Sequence, residues 1–186
     1  MQVRTSSGEP VANAIVTMTP ATQPTGATKF PWPLQVGQRD LAFDPFVLIV
    51  PTGAKVAFPN FDTVRHHVYS FSPVRKFEIQ LYGHDETRSV AFPTPGVVAI
   101  GCNIHDQMSA FIYVTDSPFA AKTDANGNAT IAGVPAGMAK AEIWHPQATA
   151  TGQRIEQALT VSAQAPTTLA VELDLRAQRR ARHGAY

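Results

Sequence analysis

Short apolar runs separated by turn-forming residues are the feature that most constrains the fold of this chain. Fifteen prolines and twelve glycines are spread through the 186 residues. The apolar residues between them alternate or form runs too short for a helix, which is the pattern of strands and turns. An all-β protein is therefore predicted, with candidate strands at residues 11–18, 46–50, 54–58, 66–71, 77–82, 88–92, 97–102, 109–115, 129–132, 138–144, 157–162 and 168–174.

The composition excludes several classes of protein. Hydrophobic residues make up 44% of the chain and charged residues 16%, which excludes a disordered chain and leaves enough apolar material for one or two domains. The net charge of +1 gives no reason to expect a polyanionic partner such as nucleic acid. No apolar run reaches the roughly 18 residues of a transmembrane helix, so no membrane span is predicted.

A single cysteine stands in a segment rich in metal-binding side chains. Residues 101–108 read Gly-Cys-Asn-Ile-His-Asp-Gln-Met and contain the only cysteine of the chain, Cys102. His105 and Met108 follow it in the same loop, and His66–His67 lie upstream after another strand-like run. Two imidazoles, a thiolate and a weak thioether are the ligand set of a blue-copper electron-transfer site. The sequence therefore predicts one mononuclear copper ion.

Residues 34–115 resemble the cupredoxin family, which includes plastocyanin, azurin and pseudoazurin. The segments LAFDPFVLIVPTGAKVAFPNFD, VRHHVYS and GVVAIGCNIHDQM carry the resemblance. RHHVYSFSP with GCNIHDQM is similar, more narrowly, to bacterial plastocyanin-like proteins often labelled methylamine utilisation proteins. The resemblance implies a Greek-key sandwich in which His66, Cys102 and His105 are the equatorial copper ligands and Met108 is the axial ligand.

Two adjacent histidines compete for the upstream ligand position. The family has His-Asn-Val there, with the histidine as ligand, so His66 matches the ligand and His67 the asparagine. Successive side chains of a strand point to opposite faces, and both imidazoles cannot readily reach one ion. We expect His66 to be the ligand, with His67 as the alternative. The resemblance also implies a hydrogen bond between His67 and Asn103 that supports the site.

Met108 follows the loop histidine more closely than in plastocyanin. The spacing here is Cys-x-x-His-x-x-Met, against Cys-x-x-His-x-x-x-x-Met in that protein. The shorter step also occurs in oxidase-type binuclear copper sites, but those need a second cysteine, which this chain lacks. We expect axial ligation by Met108, with a bond and colour altered by the shorter loop. The alternative is that Met108 only packs in the core.

Four other polar residues receive structural interpretations. His84 is predicted to be a solvated loop residue, and His145 is predicted to pack in a second module. Asn60 and Asp62 are expected to brace the loop before the two histidines through backbone hydrogen bonds, since hard oxygen ligands suit copper poorly beside a thiolate. The segment that begins with DANGNA has Ala129 and Pro135 at the positions where a calcium loop has its Gly and Glu, and DANGNA is predicted to be a hairpin turn.

Two separated segments indicate that one domain is inserted into another. The segments SSGEPVANAIVTMTP and KTDANGNATIAGVPAGMAKAEIWHP resemble the two halves of a carboxypeptidase-regulatory or transthyretin-like β-sandwich, and about a hundred residues separate them. We predict a cupredoxin-like copper domain at 28–116, a discontinuous sandwich from 1–27 and 117–175, and a basic flexible tail at 176–186. Two consecutive domains with a ragged first strand are the alternative.

These features predict an electron-transfer protein rather than an enzyme, because a centre with four protein ligands leaves no open position for a substrate. Transient redox proteins are the expected partners, and the oligomeric state stays open. The alternatives are a copper-carrying or copper-homeostasis protein and an accessory docking protein. Since a strand-like pattern begins almost at Met1, we expect that a leader was removed and that the protein is periplasmic.

Overall fold

Strands make up the regular structure of residues 1–22 and 28–176, which are the residues that the computed structural model describes. Within them, the one helical element is a 3-10 turn at Thr151–Gln153, so the all-β prediction is confirmed. The strands are β1 (Gln2–Arg4), β2 (Ile15–Pro20), β3 (Gly37–Arg39), β4 (Ala42–Asp44), β5 (Val47–Pro51), β6 (Ala54–Pro59), β7 (His66–Ser70), β8 (Phe77–Tyr82), β9 (Thr87–Phe92), β10 (Gly96–Gly101), β11 (Ser109–Thr115), β12 (Ala120–Lys122), β13 (Gly137–Trp144), β14 (Arg154–Val161) and β15 (Ala170–Glu172).

The middle of the chain forms one sandwich around a single core. A five-stranded sheet has the order β5-β11-β10-β7-β8, with β5 and β11 parallel. The antiparallel pairs β6-β9 and β3-β4 share a core with this sheet. In β6 every second residue is buried, as expected for a strand with one face on a core. The largest fully buried side chains of this core include Phe58, Tyr82 and Phe92.

The two ends of the chain build a second core together. A four-stranded sheet of order β12-β2-β13-β14 and the parallel pair β1-β15 enclose it. Val3 and Val16 come from the start of the chain, whereas Ile143 and Leu173 come from its second half, and all four are almost fully buried. This distribution agrees with an insertion, while the domain boundaries and the transthyretin-like relationship stay predictions.

A third cluster joins the two sandwiches. Ile15 and Trp144 from the second sandwich pack with Val47, Ile49 and Tyr113 from the first. The segment before β3 contributes to this junction. Its Trp32 stacks on Phe30 at 4.8 Å between ring centroids and donates its indole hydrogen bond to the carbonyl of Ile49 at 2.8 Å.

The structure differs from the predicted strand at 129–132 and describes only the first residue of the predicted tail at 176–186. The strand predicted at 129–132 is wrong, because these residues join no strand and the amide of Ala129 bonds to the carbonyl of Met1 at 3.0 Å. Their alternating apolar side chains pack on the second core without a ladder. Of the predicted basic tail, Arg176 bonds through its amide to Gln147, and residues 177–186 lie outside the described part of the chain. Among the described residues, no helix is long and apolar enough to cross a membrane.

Candidate metal centre

The alternation of side chains along β10 places Cys102 in the core of the first sandwich. In β10 the side chains of Val98 and Ile100 face inward, and residues two apart on a strand share a face. Cys102 follows in the same series, is 3% exposed and belongs to the same core cluster. The thiol therefore lies at the end of β10 with its sulfur on the inner side of the sheet.

The loop after Cys102 is closed tightly by its own backbone. The amide of Cys102 donates to the carbonyl of Met108 at 3.2 Å, and the amide of Met108 donates to the carbonyl of His105 at 2.9 Å. Ser109 then opens β11 opposite Gly101. One short connection between two paired strands thus carries three of the four predicted ligands.

The structure brings His66, Cys102 and His105 together. Nδ1 of His66 lies 3.7 Å from Sγ of Cys102, and Nδ1 of His105 lies 3.8 Å from the same sulfur. The ligand atoms of the three residues all lie within 4.8 Å of one another. His66 is fully buried and His105 is half-buried. The thiol and two imidazole nitrogens converge on one point at the end of the sandwich.

This donor set fits copper. Two imidazoles and a cysteine form the trigonal ligand set of blue-copper centres, and a thioether supplies the weak axial contact. Met108 is 2% exposed, belongs to the same core cluster as Cys102, and lines with it a groove of about 380 Å³. Its position in the same core cluster and groove as Cys102 is compatible with the axial role, which stays a prediction together with the other ligand assignments.

His67 points away from this cluster. Its Nε2 contacts Oε1 of Glu78 at 2.8 Å, on the outer side of the β7-β8 pair. Its Nδ1 is buried without a hydrogen-bond partner among the described residues. The predicted bond between His67 and Asn103 is therefore wrong. Successive side chains of a strand point to opposite faces, and His67 lies at a register shift in the pairing of β7 with β8, where its Nε2 contacts Glu78.

Asp62 and Asn60 brace the segment before β7, as predicted. Oδ1 of Asn60 accepts a hydrogen bond from the amide of Asp62 at 2.9 Å, and the Asn60 side-chain amide donates to the carbonyls of Val64 and Tyr82. The Asp62 carboxylate accepts from the amides of Asp40 and Leu41. The sequence did not indicate its further contact with Nε2 of His66 at 2.7 Å.

The environment of Asp62 favours its charged form. Partial burial raises the pKa of this carboxyl, but the hydrogen bond with His66 and those from the two backbone amides lower it by more, so the pKa lies below its usual value. A carboxylate that accepts several hydrogen bonds is held in place as well as ionised. Asp62 therefore presents a fixed negative charge to the outer edge of the His66 ring.

Two further histidines in the described part of the chain, His84 and His145, lie outside the cluster. His84 is exposed and contacts Asp85 and the carbonyl of Asp62, in agreement with a solvated loop. His145 is buried, and its Nδ1 accepts a hydrogen bond from the amide of Gln147 at 3.1 Å. Burial lowers the pKa of His145, which outweighs the opposing effect of its bond with the backbone of Ala12. Both residues have the structural roles that were predicted.

Comparisons with known proteins return copper proteins among the solved structures. Neither family models nor curated proteins match the chain. It is similar to a Cu-containing nitrite reductase from Thermus scotoductus, at 28% identity and a TM-score of 0.43 over 52% of this chain and 25% of that one. A purple cupredoxin from Nitrosopumilus maritimus matches at 19% identity and a TM-score of 0.41, covering 44% of this chain and 98% of that one.

A reduced Cu(I) form of an amicyanin mutant matches at 17% identity and a TM-score of 0.42, covering 53% of this chain and 99% of that one. The chain spans about a quarter of the nitrite reductase and nearly the whole of the two smaller proteins. These neighbours include proteins of the kind that the sequence resembles. At such TM-scores the similarity carries no argument about function. The type of metal that the site fits is argued from the donor atoms themselves.

Proposed function

We propose that the protein binds one copper ion through His66, Cys102, His105 and Met108 and transfers single electrons. The observation that carries the proposal is the convergence of two imidazole Nδ1 atoms on one buried sulfur, at 3.7 and 3.8 Å. A bound copper would supply the one-electron couple between Cu(I) and Cu(II). Proteins with such a donor set use it for electron transfer.

The surrounding residues hold the donors in a rigid frame. Cys102 and Met108 sit in a packed core, and His66 is fixed at the start of β7. A preset arrangement limits the movement that accompanies a change of oxidation state. Burial also keeps water away from the thiolate, whose charge a metal cation compensates. The chain itself therefore contributes geometry, desolvation and charge balance.

His105 is the proposed point of electron entry and exit. It is the one half-buried member of the three-residue cluster, and the neighbouring Ile104 is 49% exposed. A half-buried ligand flanked by an exposed apolar side chain suits brief contact with another redox protein. Transient complexes of this kind use small interfaces. We propose such partners, a periplasmic location and no enzymatic activity of the protein's own.

A pair of variants on adjacent residues tests the proposed site. His66→Ala removes a donor beside Cys102, whereas His67→Ala removes a ring that bonds Glu78 on the other side of the strand. We expect His66→Ala to abolish the strong visible band of a thiolate–Cu(II) complex and His67→Ala to retain it. The reverse result would assign the upstream ligand to His67.

Electron self-exchange separates the proposal from copper carriage. The broadening of proton resonances in mixtures of reduced and oxidised protein measures the rate of self-exchange. Fast exchange with slow release of Cu(I) to a chelator supports electron transfer. Slow exchange with rapid release of Cu(I) would contradict it and support a copper-carrying or homeostasis protein that uses the same residues.

A further inference from the structure

The outer edge of the His66 ring is closed by a carboxylate. Oδ2 of Asp62 lies 2.7 Å from Nε2 of His66, on the side of the ring opposite to Nδ1 and Cys102. The side chain of His66 is fully buried and that of Asp62 is 12% exposed. A deprotonated carboxylate can only accept a hydrogen bond, so Nε2 carries the proton of the neutral ring. The lone pair on Nδ1 is then free to face the sulfur.

Asp62 is itself held by a strained hairpin turn. Asp40 and Leu41, between β3 and β4, both have left-handed backbone conformations, with φ of 53° and 57°. Aspartate tolerates such a conformation, but it is costly for a leucine and persists at Leu41 where surrounding contacts enforce it. Here the amides of both residues donate to the Asp62 carboxylate, at 2.7 and 3.2 Å. The turn thus aims two donors at the group that contacts His66.

The next histidine offers an internal comparison. His67 has a similar contact with Glu78 at 2.8 Å, but the Glu78 side chain is 59% exposed. Water screens a charge of that kind, whereas the Asp62 carboxylate is largely sheltered. The backbone amides of the β3-β4 turn reach Asp62. The two pairs therefore share their chemistry and differ in burial and support.

We propose that Asp62 is a positioning residue of the centre, which sets the tautomer and orientation of His66 and favours the oxidised ion through its charge. The inference rests on the proposed copper function. A ligating histidine whose second nitrogen donates to a carboxylate becomes more basic and keeps one orientation. A fixed negative charge stabilises Cu(II) more than Cu(I), since the ion of higher charge is attracted more strongly. Asp62 therefore lowers the reduction potential and tightens the binding of Cu(II).

The tautomer of His66 can be tested before any metal is added. Two-bond proton–nitrogen correlation spectra of the metal-free, ¹⁵N-labelled wild-type protein, recorded at slightly alkaline pH, report which ring nitrogen carries the proton. We expect the proton of His66 on Nε2. A proton found on Nδ1 would overturn the inference. Nδ1 could not then offer a lone pair to the metal, and Asp62 would not be accepting a hydrogen bond from Nε2.

Matched carboxylate variants test the effect on the ion. Asp62→Asn should weaken Cu(II) binding, measured by competition with a chelator, by about 10–100-fold, as for other carboxylates behind metal-bound histidines. It should also raise the reduction potential. Glu78→Gln, the equivalent change behind His67, should alter neither quantity. Circular dichroism and thermal unfolding of both metal-free variants monitor the fold.

The outcomes separate this inference from the function on which it rests. A wild-type protein with a strong thiolate–Cu(II) band, and an Asp62→Asn variant with unchanged affinity and potential, would refute the role of Asp62 and leave the function intact. Equal effects of Asp62→Asn and Glu78→Gln would likewise refute it. If the wild type forms no such band, the proposed function fails, while the tautomer of His66 still reports on the Asp62 contact.

Discussion

At the scale of single residues, Cys102 has surroundings that a merely structural thiol does not need. A lone buried cysteine ordinarily packs as a small apolar residue. The sulfur of Cys102 instead has two imidazole nitrogens at 3.7 and 3.8 Å, in a core built mainly from apolar side chains. Polar groups are brought into such a core at a free-energy cost unless they are paired. A bound cation that joins all three donors removes that cost.

Met108 decides whether the centre has an axial ligand. Met108→Leu keeps a side chain of similar volume, so the free energy of unfolding of the metal-free protein should change by less than about 1.5 kcal/mol. Loss of a thioether donor should raise the reduction potential and shift the visible spectrum while the thiolate band persists. Voltammetry and absorption spectra measure both effects. An unchanged potential and spectrum would mean that Met108 only fills the core.

The preference for His66 over His67 as ligand comes from the family resemblance and stays a prediction, whereas the opposite orientation of their side chains could be predicted from the two-residue period of a strand. The role of Asp62 could not. Its carboxylate is held by the turn at Asp40–Leu41, where leucine stands at the second left-handed position in place of the usual glycine, so the turn could not be recognised from the sequence. The one sequence signal for the contact was an acidic residue four positions before the histidine. That signal is weak, because many solvated loops have the same spacing.

At the scale of elements, strands with a clear apolar alternation were placed well. Predicted and observed bounds agree for Phe77–Tyr82 and Ser109–Thr115. The missed strands β1, β3, β4 and β12 have three residues each. Strands so short hold one or two alternations, which is too little to separate them from loops. β1 and β12 also pair with distant strands, β15 and β2, whereas β3 and β4 pair with each other.

The turn predicted in DANGNA depends on one glycine. Oδ1 of Asp124 accepts from the amides of Asn126 and Asn128, and Gly127 has a φ of +75°. A Cβ at Gly127 would lie 2.3 Å from the carbonyl oxygen of Val3, which is backbone and cannot rotate away. The turn therefore packs directly on the strand that joins the two ends of the chain.

Two glycine variants separate the free-energy cost of a left-handed backbone from the cost of the close contact at Gly127. Gly133 has a similar φ of +73° but no atom within 4 Å of a Cβ built on it. Gly133→Ala should lower the free energy of unfolding by about 1–2 kcal/mol, the cost of the left-handed conformation alone. Gly127→Ala should cost roughly 3 kcal/mol or more, because the backbone must also move. Urea unfolding measures both values, and equal values would contradict the close contact.

At the scale of the whole molecule, the two sandwiches share a mixed junction. Trp144 and Ile15 pack against Val47 and Ile49, and the hydroxyl of Tyr113 donates to Glu142 at 2.6 Å. Burial, followed by this bond to a carboxylate, raises the pKa of Tyr113. The junction was not predictable, since the sequence marks its aromatic residues as core without saying which core they join. The group of three donors, His66, Cys102 and His105, lies in the first sandwich.

His145 should make the stability of the second sandwich depend on pH. Burial lowers its pKa from the ordinary value of 6.5, so the unfolded chain binds the proton more readily than the folded one. The contribution of His145 is complete above about pH 6.5 and is lost as the pH falls toward the folded-state pKa. Urea unfolding of the metal-free protein should show this loss of stability on acidification, and His145→Gln should show a smaller one. Identical pH profiles would contradict the account.

The most direct test of the central claim is the visible and EPR spectrum after addition of one equivalent of Cu(II), recorded for the wild type and for Cys102→Ser. We predict a strong thiolate-to-copper band in the wild type that saturates at one equivalent and is lost in the variant. A wild-type protein that stays colourless and binds copper no more tightly than the variant would contradict a copper centre at His66, Cys102 and His105.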